Sequence, residues 1–409
     1  MIIKNVAVTD SPNSITLTAA CKIRKIGWDK VYITLEGKQH HDFMFKDASP
    51  FAAALLLPCM RVGEDLIIHG SISEQLFIGM QAIMDEVLTW GIGLQRIEIK
   101  PDQVTPDQQH TTRTGTFFSG GVDSFYTFLK HKKDPTKSHR IDSFIFVNNS
   151  FDIDQRNKKL WEQTLKNIRA IAKEEDIELF VVKSNINSHE LLAPIVSWDY
   201  IHGACLAATG LALRGGFGRI YVPSTHSTTE QIPWGSNMAL DQNWSTEKIT
   251  FQHDGSEVTR LDKVVLQVSK SPTALRHLRV CYKNVDGAYN CGQCDKCLRT
   301  MVNLYIAGVL DKAKTFPKKL DIELIATTPT IRGKDGGIFH TENLTALKKK
   351  HLNPELQQAI ATSLLNTRGL EEETQFQRRV KQLIFLDHAY THGRLYALAS
   401  IILGRRFSS

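Results

Sequence analysis

No apolar run in this chain approaches the roughly 18 residues that a membrane-spanning helix needs, and no internal repeat or low-complexity tract interrupts it. Those absences exclude helical membrane spans, a solenoid and a fibrous chain. The first residues, Met1-Ile2-Ile3-Lys4-Asn5-Val6, soon meet charge and lack the apolar core and cleavage site of a secretory signal, so a cytoplasmic location is expected. A long basic block with interleaved aromatics is also missing. The formal charge of +7 is spread over 409 residues, and the tight cluster Lys348-Lys349-Lys350 reads as a solvated helix face. A nucleic-acid partner therefore ranks below a small molecule or a protein, and no membrane contact is expected. Cysteine is scarce at seven, yet four of the seven crowd into residues 281 to 297, which points to a metal rather than to disulfides.

What is present is an ordinary globular composition, 42% hydrophobic and 23% charged, long enough for two or three packed units. Residues 1–110 read as an N-terminal α+β module of unknown role. Short apolar runs such as Ser14-Ile15-Thr16-Leu17-Thr18 alternate there with turns, and Leu76, Met80, Ile83 and Val87 mark a helix from Ser73 to Trp90. The stretch Pro101 to His110, polar and with two prolines, reads as a linker. Residues 111–315 then change rhythm. Candidate strands at Thr114 to Phe118, Ser143 to Val147, Leu179 to Lys183 and Arg219 to Pro223 alternate with helical patterns near 124–132, 156–174 and 199–214. That alternation predicts an α/β fold with a parallel sheet and helices on both faces. Residues 316–409 show two amphipathic patterns, Pro354 to Leu365 and Glu371 to Leu403, and predict a helical C-terminal region.

The string Phe118-Ser119-Gly120-Gly121-Val122-Asp123-Ser124 stands between an apolar strand and a helical pattern. Adjacent glycines let backbone N–H groups turn toward an anion, and a helix N-terminus adds unsatisfied donors and a favourable dipole. Ser119 and Ser124 bring hydroxyls, while Asp123 would repel a polyphosphate unless a cation such as Mg2+ lay between. The other reading is a plain strand-to-helix turn with Asp123 as a cap.

Cys281, Cys291, Cys294 and Cys297 follow C-x9-C-x2-C-x2-C, a spacing that suits four thiolates on tetrahedral zinc in a closed, structural site. An iron–sulfur cluster, redox thiols or core cysteines remain open at this point. Cys21, Cys59 and Cys205 sit among apolar neighbours and read as buried small hydrophobes.

The Ser-Gly-Gly-Val-Asp-Ser string after a strand resembles the signature of the PP-loop ATP pyrophosphatase family, also called adenine nucleotide α-hydrolase-like. The cysteine pattern about 150 residues later, with Cys281-Tyr282 and Cys291-Gly292-Gln293-Cys294, resembles the 7-cyano-7-deazaguanine synthase-like (QueC-like) branch. Asp262-Lys263 matches a similar pair near that branch's active site. The resemblance implies ATP, Mg2+ and Zn2+, with cleavage of ATP to AMP and pyrophosphate to adenylate a carboxylate and, in that branch, nitrogen transfer to a deazaguanine. It implies catalytic roles for Ser119, Asp123, Ser124 and Lys263. It also implies nucleotide contacts from the 118–124 string and from Val147 and Asn148, where Phe146 and Asn149 are further candidates and a plain strand end is the alternative.

The chain departs from the branch in lacking a Gly-Tyr-Pro-Asp string between Pro223 and Trp244 and in placing Arg299 one residue closer to its last cysteine. QueC-like proteins also occur in antiphage systems of the Qat and type IV CBASS kinds, so a deazaguanine-like small molecule and a protein substrate or partner are both expected. A tRNA-modifying PP-loop enzyme and an ATP-holding protein without turnover are the alternatives. Trp198, Asp199, Tyr200, His202 and His226 are further pocket candidates, with a structural role for His202 as the plain reading.

Overall fold

The computed structural model describes residues 1–23, 28–37, 42–107, 111–148, 153, 157–188, 191–192, 195–230, 232–328 and 336–368. The first half of the chain forms strands β1 (Ile2–Ser11), β2 (Ser14–Lys22) and β3 (Asp29–Glu36), helix α1 (Ser49–Val62), β4 (Leu66–Ser73), α2 (Glu74–Leu88) and β5 (Ile99–Thr105). An alternating series follows: β6 (Thr114–Phe117), α3 (Val122–His131), β7 (Ser143–Asn148), α4 (Lys158–Glu175), β8 (Glu178–Ser184), α5 (Trp198–Ala212), β9 (Arg219–Pro223), α6 (Met238–Asp241) and β10 (Thr250–Asp254). Helices α7 (Arg260–Leu266), α8 (Pro272–His277), α9 (Asp295–Ile306), α10 (Ile322–Thr327), α11 (Gly336–Lys349) and α12 (Pro354–Arg368) complete the described chain.

All ten strands belong to one mixed, mostly parallel sheet in the order β10-β9-β6-β7-β8-β3-β2-β1-β4-β5. Strands β6 to β10 run parallel, so their carboxyl ends and the loops that follow them share one edge. The antiparallel pairing of β3 with β8, from Ile33↔Ser184 to Glu36↔Val181, carries the sheet across the boundary expected near residue 110. Successive residues of the central strands serve opposite faces, as the period of two requires. Ile145, Phe180 and Ile220 join a core with α1, α2 and α5, whereas Phe144, Phe146, Val181 and Tyr221 join a second core with α3, α4, α8 and α9. A third, smaller core gathers α10, α11 and α12 against Leu298, Val302 and Ile306 of α9.

Two readings from sequence are corrected. The proline-bearing stretch expected as a linker is largely strand β5, paired in parallel with β4 from Leu66↔Ile99 to Ser73↔Thr105. Its outer side is an edge, where a proline removes no ladder bond and polar side chains meet water. Asp107 just beyond it is docked, accepting from Arg214 Nε at 2.7 Å. The N-terminal region also holds a second helix, α1, whose residues Ser49 to Met60 are all buried. A helix buried all round has no polar face to betray its period. The pattern Glu371 to Leu403, and with it Asn149, lies outside the described residues.

One close approach fixes how the loop after β9 lies on α5. A Cβ built on Gly203 would stand 1.9 Å from the Gly235 carbonyl oxygen. Gly203→Ala is therefore expected to destabilise the fold by about 3 kcal/mol through overpacking, read as a lower urea midpoint with an unchanged m-value.

Candidate functional site

The Ser119–Ser124 string forms the turn from the carboxyl end of β6 into α3. Gly120 adopts φ +74°, a left-handed conformation that favours glycine, and Gly121 is the extended N-cap residue of the helix. No side chain caps α3, in contrast to α2, α4 and α7, whose first turns are bonded by Ser73, Asn157 and Thr259. The first-turn N–H groups of α3 have no intrahelical acceptor, and the Ser119 hydroxyl has no hydrogen-bond partner among the described residues. Asp123 is thus not a cap. Ser124 is buried and donates back to the Gly121 carbonyl at 3.1 Å, which braces the turn from within.

Asp123 instead holds two cations. Arg260 Nη1 lies 2.7 Å from Oδ2 and Lys263 Nζ 3.3 Å from Oδ1. Both side chains are 1% exposed, so neither charge has water to fall back on. Burial by itself raises the Asp123 carboxyl, but Arg260, Lys263 and Lys296 outweigh it and hold the group down to about 2. Lys263 also donates to the Ser224 carbonyl at 2.5 Å, at the carboxyl end of β9. The positive charge that the sequence asked for beside Asp123 is, in part, the chain's own.

Other expected residues divide between the site and the core. Val147 and Asn148 end β7, next to β6, and are half-buried at the same sheet edge. The Phe118 ring stacks on Phe144 at 3.9 Å and the Phe146 ring on Trp161 at 5.0 Å, so both rings are core and only backbone from these residues reaches the edge. Asp262 is engaged in the capping box that starts α7. His202 Nδ1 lies 3.0 Å from the Trp198 carbonyl one turn back. Its ring touches Trp234, Trp234 touches His226, and His226 stacks on Phe339 at 5.3 Å. His226 Nδ1 pairs with Glu230 at 2.9 Å. Asp199 and Tyr200 stand at the exposed start of α5, Tyr200 against Trp90.

Arg299 is buried on α9, its guanidinium 4.1 Å over Phe339. Arg260, Phe339 and Glu342 carried no signal strong enough to single them out from sequence, although the Thr259-x-x-Asp262 capping pattern marks where α7 begins and so places Arg260 in its first turn.

The four cysteines converge. Their sulfurs lie within 4.8 Å of one another, with Cys281 to Cys291 at 3.4 Å, Cys281 to Cys294 at 3.7 Å and Cys291 to Cys297 at 4.0 Å. A tetrahedron of sulfurs about 2.3 Å from zinc has edges of about 3.8 Å, so the set fits a closed metal site such as zinc. Donation from the Cys294 and Cys297 thiols holds the Cys281 thiol below the usual range. The same segment touches the loop, since Arg279 N donates to the Gly120 carbonyl at 2.8 Å two residues before Cys281. Cys21, Cys59 and Cys205, by contrast, are pushed up to about 12 by burial, in keeping with inert core thiols.

No protein-family model, curated protein or solved structure matches this chain. No helix among the described residues is long and apolar enough to cross a membrane.

Two outcomes follow from this geometry. Metal analysis of the purified protein should find about one zinc per chain, and chelation should lower Tm; a metal-free sample of equal stability would count against the site. Asp123→Asn leaves two buried cations without a carboxylate, and is expected to cost about 3 kcal/mol in urea unfolding. The wild-type advantage should be present above about pH 4 and vanish as the pH falls toward 2, because the folded carboxyl binds its proton more weakly than the unfolded one.

Proposed function

We propose that the chain is a PP-loop enzyme of QueC-like type that binds ATP by its phosphates at Ser119–Ser124 and cleaves it to AMP and pyrophosphate to adenylate a carboxylate. The observation that carries this reading is the uncapped start of α3, with two glycines, the Ser119 hydroxyl and two buried cations gathered on Asp123. A polyphosphate at that turn would meet backbone N–H groups, the helix dipole and the two cations. Arg260 and Lys263 would neutralise charge as pyrophosphate departs, and Asp123 would orient them and share a Mg2+ ion with the phosphates. Adenine would rest beyond β7, near Val147 and Asn148, at the carboxyl edge where ligands of such sheets sit.

The acyl group would then lie on the other side of the loop, toward β9 and the loop of residues 224–234. A carboxylate oxygen is a poor leaving group, and AMP is a good one, which is the use of the first step. Zinc at the four cysteines has no open position, and would hold Arg279 against Gly120 rather than activate water. The substrate is proposed to be a deazaguanine-type molecule or a protein bearing one, in the manner of QueC-like members of antiphage systems.

Incubation with α-labelled ATP, Mg2+ and a panel of carboxylates that includes deazaguanine acids tests the reading. Labelled AMP is the expected product; ADP alone would point to another cleavage, and no turnover with retained ATP would favour an ATP-holding protein. Ser119→Ala, which removes a hydroxyl with no partner among the described residues, should leave Tm unchanged and lower kcat/KM for AMP formation by roughly tenfold to a hundredfold.

A further inference from the structure

Helix α11 brings to Arg260 a carboxylate that the reading above leaves unused. Phe339 and Glu342 are three residues apart and so share a face of α11. Phe339 lies 5.8 Å from the Arg260 guanidinium. Glu342 Oε2 accepts from the backbone N–H of Leu261, the residue after Arg260, at 3.3 Å. The other oxygen, Oε1, is buried and has no hydrogen-bond partner among the described residues.

Two further carboxylates act on Glu342, and each has one oxygen engaged. Asp262 Oδ2 receives the Thr259 N–H at 3.3 Å and the Thr259 hydroxyl at 2.9 Å. Glu230 Oε2 receives the Ser227 N–H at 3.2 Å and pairs with His226 at 2.9 Å. Each of the three has one oxygen engaged, and of their remaining oxygens Glu342 Oε1 is the one that is buried without a partner among the described residues. The charged groups facing it are Glu230 from the 224–234 loop and Arg260 and Asp262 from α7, while His340 of its own helix is turned onto Asp295 at 2.6 Å. Two negative charges against one positive make the surroundings favour a donor that brings positive charge.

We propose that Glu342 receives an amine-type nucleophile, binding the N–H groups of ammonium or a protonated primary amine through Oε1 and accepting its proton. The assignment rests on the adenylation reading only for the electrophile. The ammonium gives one proton to the Glu342 carboxylate, and the freed nitrogen lone pair attacks the acyl carbon. The bond from that carbon to the AMP oxygen breaks, its electron pair leaves with AMP, and the second nitrogen proton passes to solvent. Glu342 suits such an exchange, because burial first and Glu230 second push its carboxyl up to about 7, against the Leu261 N–H and Arg260.

The full chain is tested without ATP, at about pH 8 and equal ionic strength, in methylammonium chloride against tetramethylammonium chloride, which has no N–H to donate. Methylammonium should raise Tm by about 1 to 2 °C over tetramethylammonium, and the rise should fade below about pH 7 as Glu342 takes up its proton. Glu342→Gln should abolish the rise. That variant keeps the shape and removes a carboxyl whose ionisation costs stability as the pH rises from about 4.5 to about 7, so it is expected to fold. Glu342→Asp, one methylene shorter, should weaken the rise and serves if the glutamine variant is lost.

Equal Tm in the two salts, or a full rise in either variant, would overturn the proposal. Ser119→Ala should retain the rise. A chain that binds methylammonium through Glu342 but never forms AMP would refute the adenylation reading and leave the amine site standing.

Discussion

Two buried cations that share one carboxylate set the geometry at the head of α3. Arg260 and Lys263 are three residues apart on α7, so both side chains leave the helix on one face and reach opposite oxygens of Asp123. A lone buried ammonium or guanidinium costs several kcal/mol, so α7 cannot move away from the loop without exposing or stranding them. The capping box of Thr259 and Asp262 fixes where α7 starts, and hence where both charges point. Arg279 N holds the Gly120 carbonyl from the other side. These contacts hold the turn from both sides, which would let its donors meet an anion with little reorganisation.

Features confined to one stretch of chain were legible in the sequence, and features made by distant stretches were not. The turn and the cysteines are contiguous strings, and the strands β6 to β9 and helices α3 to α5 have periods that a short window reveals. Arg260 meets Asp123 across 137 positions, and no window spans that. Lys263 entered only beside Asp262, and the two then parted, one to the site and one to a helix cap. α1 was missed because burial on every side erased its polar face, and β5 because an exposed edge made a strand look like a linker. Even Phe118, inside the most readable string, sends its ring into the core.

The cysteine segment and the C-terminal helices belong to the same mechanical unit as the loop, and α9 is the reason. Its N-terminus follows directly from Cys294, so an ion held by the four sulfurs would also anchor the helix. From there α9 offers α11 a run of buried polar partners: Asp295 meets His340 at 2.6 Å, Asn303 meets Asn343 at 2.5 Å, and Arg299 lies under Phe339. Polar groups buried in this way cost free energy when one side is removed, so α11 is matched to α9 more specifically than an apolar face would require.

That match has a consequence for the site. α11 carries Phe339 to His226 and Arg260, and Glu342 to the first turn of α7, so its placement is felt at the residues that hold Asp123. An amphipathic helix joined only by apolar contact could slide by a turn at modest cost, whereas sliding here would strand His340, Asn343 and Glu342 together. Helix α11 therefore stands as a wall beside Asp123 and its two cations, fixed in register. A substrate for the proposed chemistry would be selected as much by α11 as by the strand ends.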